Sequence, residues 1–96
     1  MAEERHLEIL NRGVEEWNRW RKQNPEIKPD LSTSNLINRD LSRADFSGTD
    51  LSRADLSKAQ LSHASLHGAN LESSTLILAD LLGAILNESN LSAASF

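Results

Sequence analysis

The chain has 96 residues, a formal net charge of −4 and no cysteine, so it fits one small domain without disulfides or thiolate metal sites. No apolar run approaches the roughly 20 residues of a transmembrane helix, and the charged start lacks the apolar region of a signal peptide. We therefore expect a soluble, cytoplasmic protein that makes no membrane contact.

Residues 3 to about 23 have the spacing of one amphipathic helix, with apolar residues at Leu7, Leu10, Val14 and Trp17. The pair Asn24-Pro25 is typical of a helix end. Gly13 lies within the apolar arc. It either lets the helix lie close to a neighbouring surface or only weakens the helix.

From residue 31 onward a large apolar residue recurs at every fifth position. A step of five residues advances an α-helix by about 140° net and reverses the face of a flat strand, so neither element places these residues on one side. They share one interior only if the chain turns once in every repeat. The fourteen positions are Leu31, Leu36, Leu41, Phe46, Leu51, Leu56, Leu61, Leu66, Leu71, Leu76, Leu81, Leu86, Leu91 and Phe96.

The positions around each leucine follow the same period. A small residue, most often alanine, stands two positions before it, which suits a narrow interior. Aspartate or asparagine usually stands directly before it and serine often follows, as is typical of tight turns on a surface.

This A(D/N)LSx pattern, as in Ala44-Asp45-Phe46-Ser47-Gly48 and Ala54-Asp55-Leu56-Ser57-Lys58, resembles the pentapeptide-repeat family. The resemblance implies a mainly β fold: a right-handed quadrilateral β-helix with four pentapeptides per coil. Residues 29–96 would then form about three and a half coils, a rod roughly 17 Å long. The run Trp17-Asn18-Arg19-Trp20-Arg21 is similar to the leader of many cyanobacterial members.

We predict two units: a capping helix with its connector at residues 1–28 and the β-helix at residues 29–96. The end of a solenoid exposes its interior, so we expect Leu10, Val14 and Trp17 to cover the first coil. Arg39 occupies an inward position, where a guanidinium cannot be buried unpaired. We expect either that the first coil is loose there or that Arg39 leaves through the open end toward the cap, with Asp30 and Asp40 as candidate counter-charges.

Four apolar residues, Ile77, Leu78, Leu82 and Ile85, fall at outward positions of the repeat that are polar or glycine throughout residues 41–75. An exposed apolar cluster indicates a contact surface, although single surface apolar residues are ordinary. Together with Leu91 and Phe96 they form the predicted surface for a homodimer, since end-to-end dimers occur in the family, or for an unidentified protein.

No pattern indicates catalysis or a cofactor. His63 and His67 are too few for a confident metal site, and no serine lies in a nucleophile motif. Residues 29–96 carry eight acidic against four basic groups, which argues against direct nucleic-acid binding. The predicted function is a non-catalytic structural and protein–protein interaction module. An inhibitor of DNA gyrase that mimics DNA is the alternative, and a metal-dependent enzyme ranks last.

Overall fold

The computed structural model describes residues 2–96. Their helices are α1, Glu4–Asn11, and α2, Val14–Gln23. A connector follows, and from Asp30 onward the described chain carries isolated parallel β-bridges instead of longer strands. Each straight side holds only a few residues between turns, which explains why each bridge is one residue long.

The prediction of one helix over residues 3 to 23 was wrong, because Gly13 separates α1 from α2. Its φ of 111° and ψ of 163° lie where only glycine is comfortable. A Cβ built on Gly13 would meet nothing within 4 Å, so close packing is not the reason for glycine here. The break lets the two helices turn and bury Ile9 and Leu10 from one and Trp17 from the other.

Each bridge joins residues 20 positions apart, beginning with Asp30 and Asp50 and ending with Thr75 and Ser95. Bridges starting at Asp30, Asn35, Asp40 and Asp45 complete one coil, so a coil has four sides. We number the sides in this order, the first side carrying residues 30, 50, 70 and 90.

Three backbone hydrogen bonds connect each interior side to the coil before it. On the first side, Asn70 N–H donates to the Thr49 carbonyl at 3.0 Å, and the Asn70 carbonyl accepts from Leu51 N–H at 2.7 Å. The Glu72 carbonyl accepts from Arg53 N–H at 2.9 Å. Stacking therefore satisfies backbone groups that a lone coil would leave unpaired.

A tight turn follows each inward leucine. In one example Ala54 N–H donates to the Leu51 carbonyl at 3.1 Å, and Arg53 between them has a φ of 60°. Asp50 supports this turn, because its Oδ1 accepts from Ser52 N–H at 3.0 Å and from Ser52 Oγ at 2.7 Å. The interpretation of the aspartates as turn residues is thus confirmed.

The inward leucines form one buried column. Leu56 and Leu61 are 0% exposed, as are most central residues from Leu31 to Leu71, and the small residues beside them, such as Ala59, are buried as well. The predicted interior is confirmed over this range. The last described coil differs, since Leu81, Leu86 and Leu91 are half-buried.

Candidate interaction surface

The apolar surface, which we define as Ile77, Leu78, Leu82 and Ile85, lies on the outside of the last described coil. The four side chains are 46%, 76%, 72% and 49% exposed. Leu78 and Leu82 occupy the turns at the two ends of the third side, and Ile85 lies on the fourth side. The structure therefore places the four residues along one stretch of the surface.

The preceding coil is polar at the same places. The residues 20 positions earlier are Ser57, Lys58, Ser62 and Ser65. Hydrogen bonds fix this register: Lys58 N–H donates to the Ile77 carbonyl at 2.9 Å, and His63 N–H donates to the Leu82 carbonyl at 2.8 Å. The change from polar to apolar thus occurs between adjacent coils on an otherwise unchanged backbone.

Polar groups beside the apolar surface make local contacts. Asp80 lies between the two leucines, and its Oδ1 accepts from Leu82 N–H at 3.0 Å. The imidazole of His63 packs against Gly83 so closely that a Cβ on Gly83 would lie only 2.5 Å from His63 Nδ1. Leu78 itself has a φ of 62°, a conformation that leucine rarely adopts.

Leu91 and Phe96 occupy different positions from these four residues. Leu91 is an inward residue, half-buried and packed against the core. Phe96 follows Ser95, which pairs with Thr75, and is 65% exposed. Both therefore belong to the leucine column, whereas the apolar surface lies on the outer wall.

At the opposite end, helix residues lie against the first coil. Leu10 and Trp17 are 0% exposed and Val14 is half-buried against the same core. The Trp17 ring centroid is 5.6 Å from that of Phe46. Trp17 Nε1 donates to the Asp45 carbonyl at 2.8 Å, so the indole makes both an apolar and a polar contact.

Three further helix side chains contact the first coil, and sequence analysis missed them. Asn18 Oδ1 accepts from Asp45 N–H at 2.8 Å, and Arg21 Nη2 donates to the Ser47 carbonyl at 2.7 Å. His6 Nδ1 accepts from Asp30 N–H at 3.0 Å. Asn18 and Arg21 lie in the Trp17–Arg21 run, and their three-residue spacing on a helix beside Trp17 was the available signal.

Arg39 leaves the interior toward α1, as one of the two expectations stated. Its Nη1 donates to Asn11 Oδ1 at 3.0 Å and its Nη2 to the Leu10 carbonyl at 3.4 Å. The candidate counter-charges were wrong, because within residues 2–96 Arg39 forms no ion pair with Asp30 or Asp40. Two neutral acceptors on α1 thus bind its guanidinium.

The structure offers no support for a metal site in the described part of the chain. Among residues 2–96 no group of three or more His, Cys, Asp or Glu side chains is placed to hold a metal ion. His67 Nε2 lies 3.9 Å from Glu88 Oε2, and His63 packs on Gly83. Over the same residues, no helix is long and apolar enough to cross a membrane.

Comparison with known proteins identifies the repeat. The family model for pentapeptide repeats (8 copies) matches residues 30–68 and 64–96. A pentapeptide repeat protein of the Arabidopsis thaliana thylakoid lumen is similar in structure, with 34% identity, a TM-score of 0.67, and coverage of 68% of this chain and 45% of that one. A comparison with curated proteins gave no match.

Two cyanobacterial structures from Nostoc are also similar in sequence. HetL, a pentapeptide repeat protein involved in heterocyst differentiation regulation, is 38% identical over 68% of this chain and 29% of its own, with a TM-score of 0.44. Another pentapeptide repeat protein is 32% identical, and the match covers 76% of this chain and 69% of that one, with a TM-score of 0.43. This chain spans less than half the length of the Arabidopsis protein and of HetL.

The repeat, the bridges at 20-residue spacing and these similarities agree with each other. The neighbours are β-helix proteins, which supports the solenoid, and proteins built from these repeats are generally non-catalytic structural and interaction modules. The chain belongs to the pentapeptide-repeat family.

Proposed function

We propose that this chain is an interaction module that binds a second copy of itself through the apolar surface. The observation that carries the proposal is the exposure of Leu78 and Leu82, 76% and 72%, at turns where the preceding coil has Lys58 and Ser62. Burying a leucine side chain contributes about 1.5–3 kcal/mol. Four such residues on one coil wall form a surface that association would stabilise.

A second copy is the partner that fits this surface without further assumptions. A two-fold axis places the same patch on both subunits, so one apolar surface covers the other. The half-buried Leu91 and the exposed Phe96 add apolar area in the same coil region. We include both residues in the proposed dimer contact.

Two matched double variants test this proposal by sedimentation velocity. Leu82→Asp with Ile85→Asp places two charges in the apolar surface, and Ser62→Asp with Ser65→Asp places the same charges one coil earlier. We expect the unmodified chain and the Ser62/Ser65 variant to give a particle mass of about twice the 10.6 kDa monomer. The Leu82/Ile85 variant should give the monomer mass. An unmodified chain that stays monomeric at high concentration would refute the proposal.

We further propose that the helices cap the solenoid, with residues 1–28 as the cap and connector and residues 29–96 as a right-handed rod of about three and a half coils. The burial of Trp17 and Leu10 beside the first coil supports this division. The cytoplasmic location stays a prediction, as does the absence of direct nucleic-acid binding.

Inhibition of DNA gyrase by DNA mimicry is the second candidate. The bridge between Asp30 and Asp50 stacks two carboxylates on the first side, with Glu72 in the next coil. The next residues on this side, Asn70 and Asn90, are uncharged, and the positive charge of Arg53 interrupts the row of carboxylates. The acidic face is therefore short. A supercoiling assay with purified protein tests this function, and undiminished gyrase activity would exclude it.

A further inference from the structure

The helices, with Glu3 directly before α1, supply hydrogen-bond partners to the backbone of the first coil on only two of its four sides. In every later coil, each side turns one N–H and two carbonyls toward the coil before it, as Asn70 and Glu72 do. The first coil has no preceding coil, so these groups need other partners.

The fourth side has a substitute for all three groups. Asp45 N–H donates to Asn18 Oδ1, the Asp45 carbonyl accepts from Trp17 Nε1, and the Ser47 carbonyl accepts from Arg21 Nη2. These three side chains of α2 therefore replace the hydrogen bonds that a coil would supply.

The first side has substitutes for two of its three groups. Asp30 N–H donates to His6 Nδ1 at 3.0 Å, and the Asp30 carbonyl accepts from Glu3 N–H at 3.0 Å. Asp30 and Asp45 are accordingly half-buried.

The second and third sides are different. Within residues 2–96, the N–H groups of Asn35 and Asp40 have no hydrogen-bond partner, and neither do the carbonyls of Asn35, Ile37, Asp40 and Ser42. Asn35, Ile37 and Asp40 are exposed to solvent. We call residues 35–42 the open edge.

The interior beneath the open edge is nevertheless closed. Leu36 is 0% and Leu41 is 1% exposed, and Arg39 is tied to α1 through Asn11 and Leu10. The helices thus cover the apolar column but leave the backbone of two adjacent sides free to pair. Unpaired strand edges of this kind accept an additional strand.

We propose that the open edge binds an extended peptide segment of a partner protein by β-strand addition. Each side offers two carbonyl acceptors and one N–H donor. The segment must therefore present one carbonyl followed by two N–H groups per side, as Thr49, Leu51 and Arg53 do toward the next coil. It must therefore lack proline at the donor positions. A whole coil of a second copy does not fit, because α1 and α2 occupy the other two sides.

This surface is independent of the apolar surface, which lies in the last described coil. A suitable probe is a synthetic peptide with the sequence of residues 54–63. In the folded chain this segment presents two N–H donors and one carbonyl per side to the coil that follows it, which is the pattern that the open edge requires. The peptide's two leucines are replaced by alanine, so that no large side chain meets α1. The control is the same peptide N-methylated at these two alanines.

Amide hydrogen exchange in the full chain gives the readout. Asp55 and Gln60 occupy the same two sides one coil later and donate to the Ser34 and Arg39 carbonyls at 3.0 and 2.9 Å. In the free chain we expect the amides of Asn35 and Asp40 to exchange about tenfold or more faster than these two. The unmethylated peptide should slow exchange at Asn35 and Asp40, and the methylated peptide should not.

Three results would overturn the proposal. The first is protection of Asn35 and Asp40 in the dilute free chain that equals that of Asp55 and Gln60. The second is unchanged exchange at millimolar unmethylated peptide. The third is protection that rises with protein concentration alone, which would identify a second copy as the occupant.

Discussion

Trp17 and Asp45, 28 residues apart, are joined by a hydrogen bond of 2.8 Å from the indole Nε1 to the backbone carbonyl. If another coil preceded the first one, a backbone N–H would donate to this carbonyl, as Leu51 N–H donates to the Asn70 carbonyl. One aromatic side chain thus both covers Phe46 and supplies one of the hydrogen bonds that a preceding coil would make. Trp17 therefore attaches α2 to the first coil through both an apolar and a polar contact.

Trp17→Phe should lower the free energy of unfolding by about 1–3 kcal/mol, because it leaves the Asp45 carbonyl without its donor while keeping most of the apolar contact. Trp20→Phe is the control, since Trp20 is half-buried and its ring centroid lies 5.2 Å from that of Trp17, with the two rings tilted by 46°. Urea unfolding of both variants makes the comparison. Equal losses would show that the hydrogen bond contributes nothing.

Gly83→Ala should destabilise the chain more than Gly48→Ala. Both glycines have positive φ, 71° and 65°, so each alanine costs about 1–2 kcal/mol in backbone conformation. Only at Gly83 does the new Cβ also displace His63. Adding His63→Ala should remove the difference between the two variants, and a difference that persists would show that His63 is not its cause.

Thr49→Val should raise the free energy of unfolding by about 1 kcal/mol. Thr49 is 0% exposed, and its Oγ1 is buried without a partner among residues 2–96, so a methyl group is better suited to the site. Ser74 occupies an equivalent inward position, but its Oγ donates to the Leu71 carbonyl at 2.7 Å. Ser74→Ala should therefore lower stability by about 1 kcal/mol, and the same sign of change in both variants would contradict this account.

Asp30 should make stability depend on pH in the acid range. Burial acts to raise the pKa of its carboxyl, but hydrogen bonds from the Ser32 N–H and hydroxyl, together with nearby positive charge, outweigh burial, so the pKa lies below its ordinary value of 3.8. A carboxyl with a lowered folded-state pKa stabilises the fold above its unfolded-state pKa. That stabilisation is lost as the pH falls through the folded-state value.

The measurement is urea unfolding from neutral pH down through the carboxyl range, with Asp30→Asn for comparison. The unmodified chain should lose more stability on acidification than the variant. An NMR titration of Ser32→Ala should place the pKa of Asp30 higher than in the unmodified chain. An unchanged titration would show that the Ser32 hydroxyl does not hold the carboxylate.

The repeat made much of the fold predictable, because the five-residue spacing alone identifies each inward leucine. The burial of Leu56 and Leu61, the turn role of Asp50 and the exit of Arg39 toward the helix all followed from position in the period. The exposure of Leu78 followed in the same way, since its place in the repeat is an outward turn.

The attachment of the helices was not predictable in the same detail. His6, Asn18 and Arg21 are polar helix residues whose partners lie 24 to 27 residues away, and in the sequence they look like a solvated face. The break at Gly13 was missed because apolar spacing continues across it, and a glycine with φ of 111° looks the same in sequence as one within a helix. Local pattern does not report such distant contacts.

Association through the apolar surface can be observed directly in a sample that mixes isotope-labelled and unlabelled chains. An isotope-filtered NOE experiment detects only contacts between protons of different copies. We predict intermolecular NOEs at the methyl groups of Leu78, Leu82 and Ile85 and none at Leu56, which is 0% exposed. Absence of intermolecular NOEs at these three residues, at a concentration where the chain is dimeric, would contradict the proposed surface.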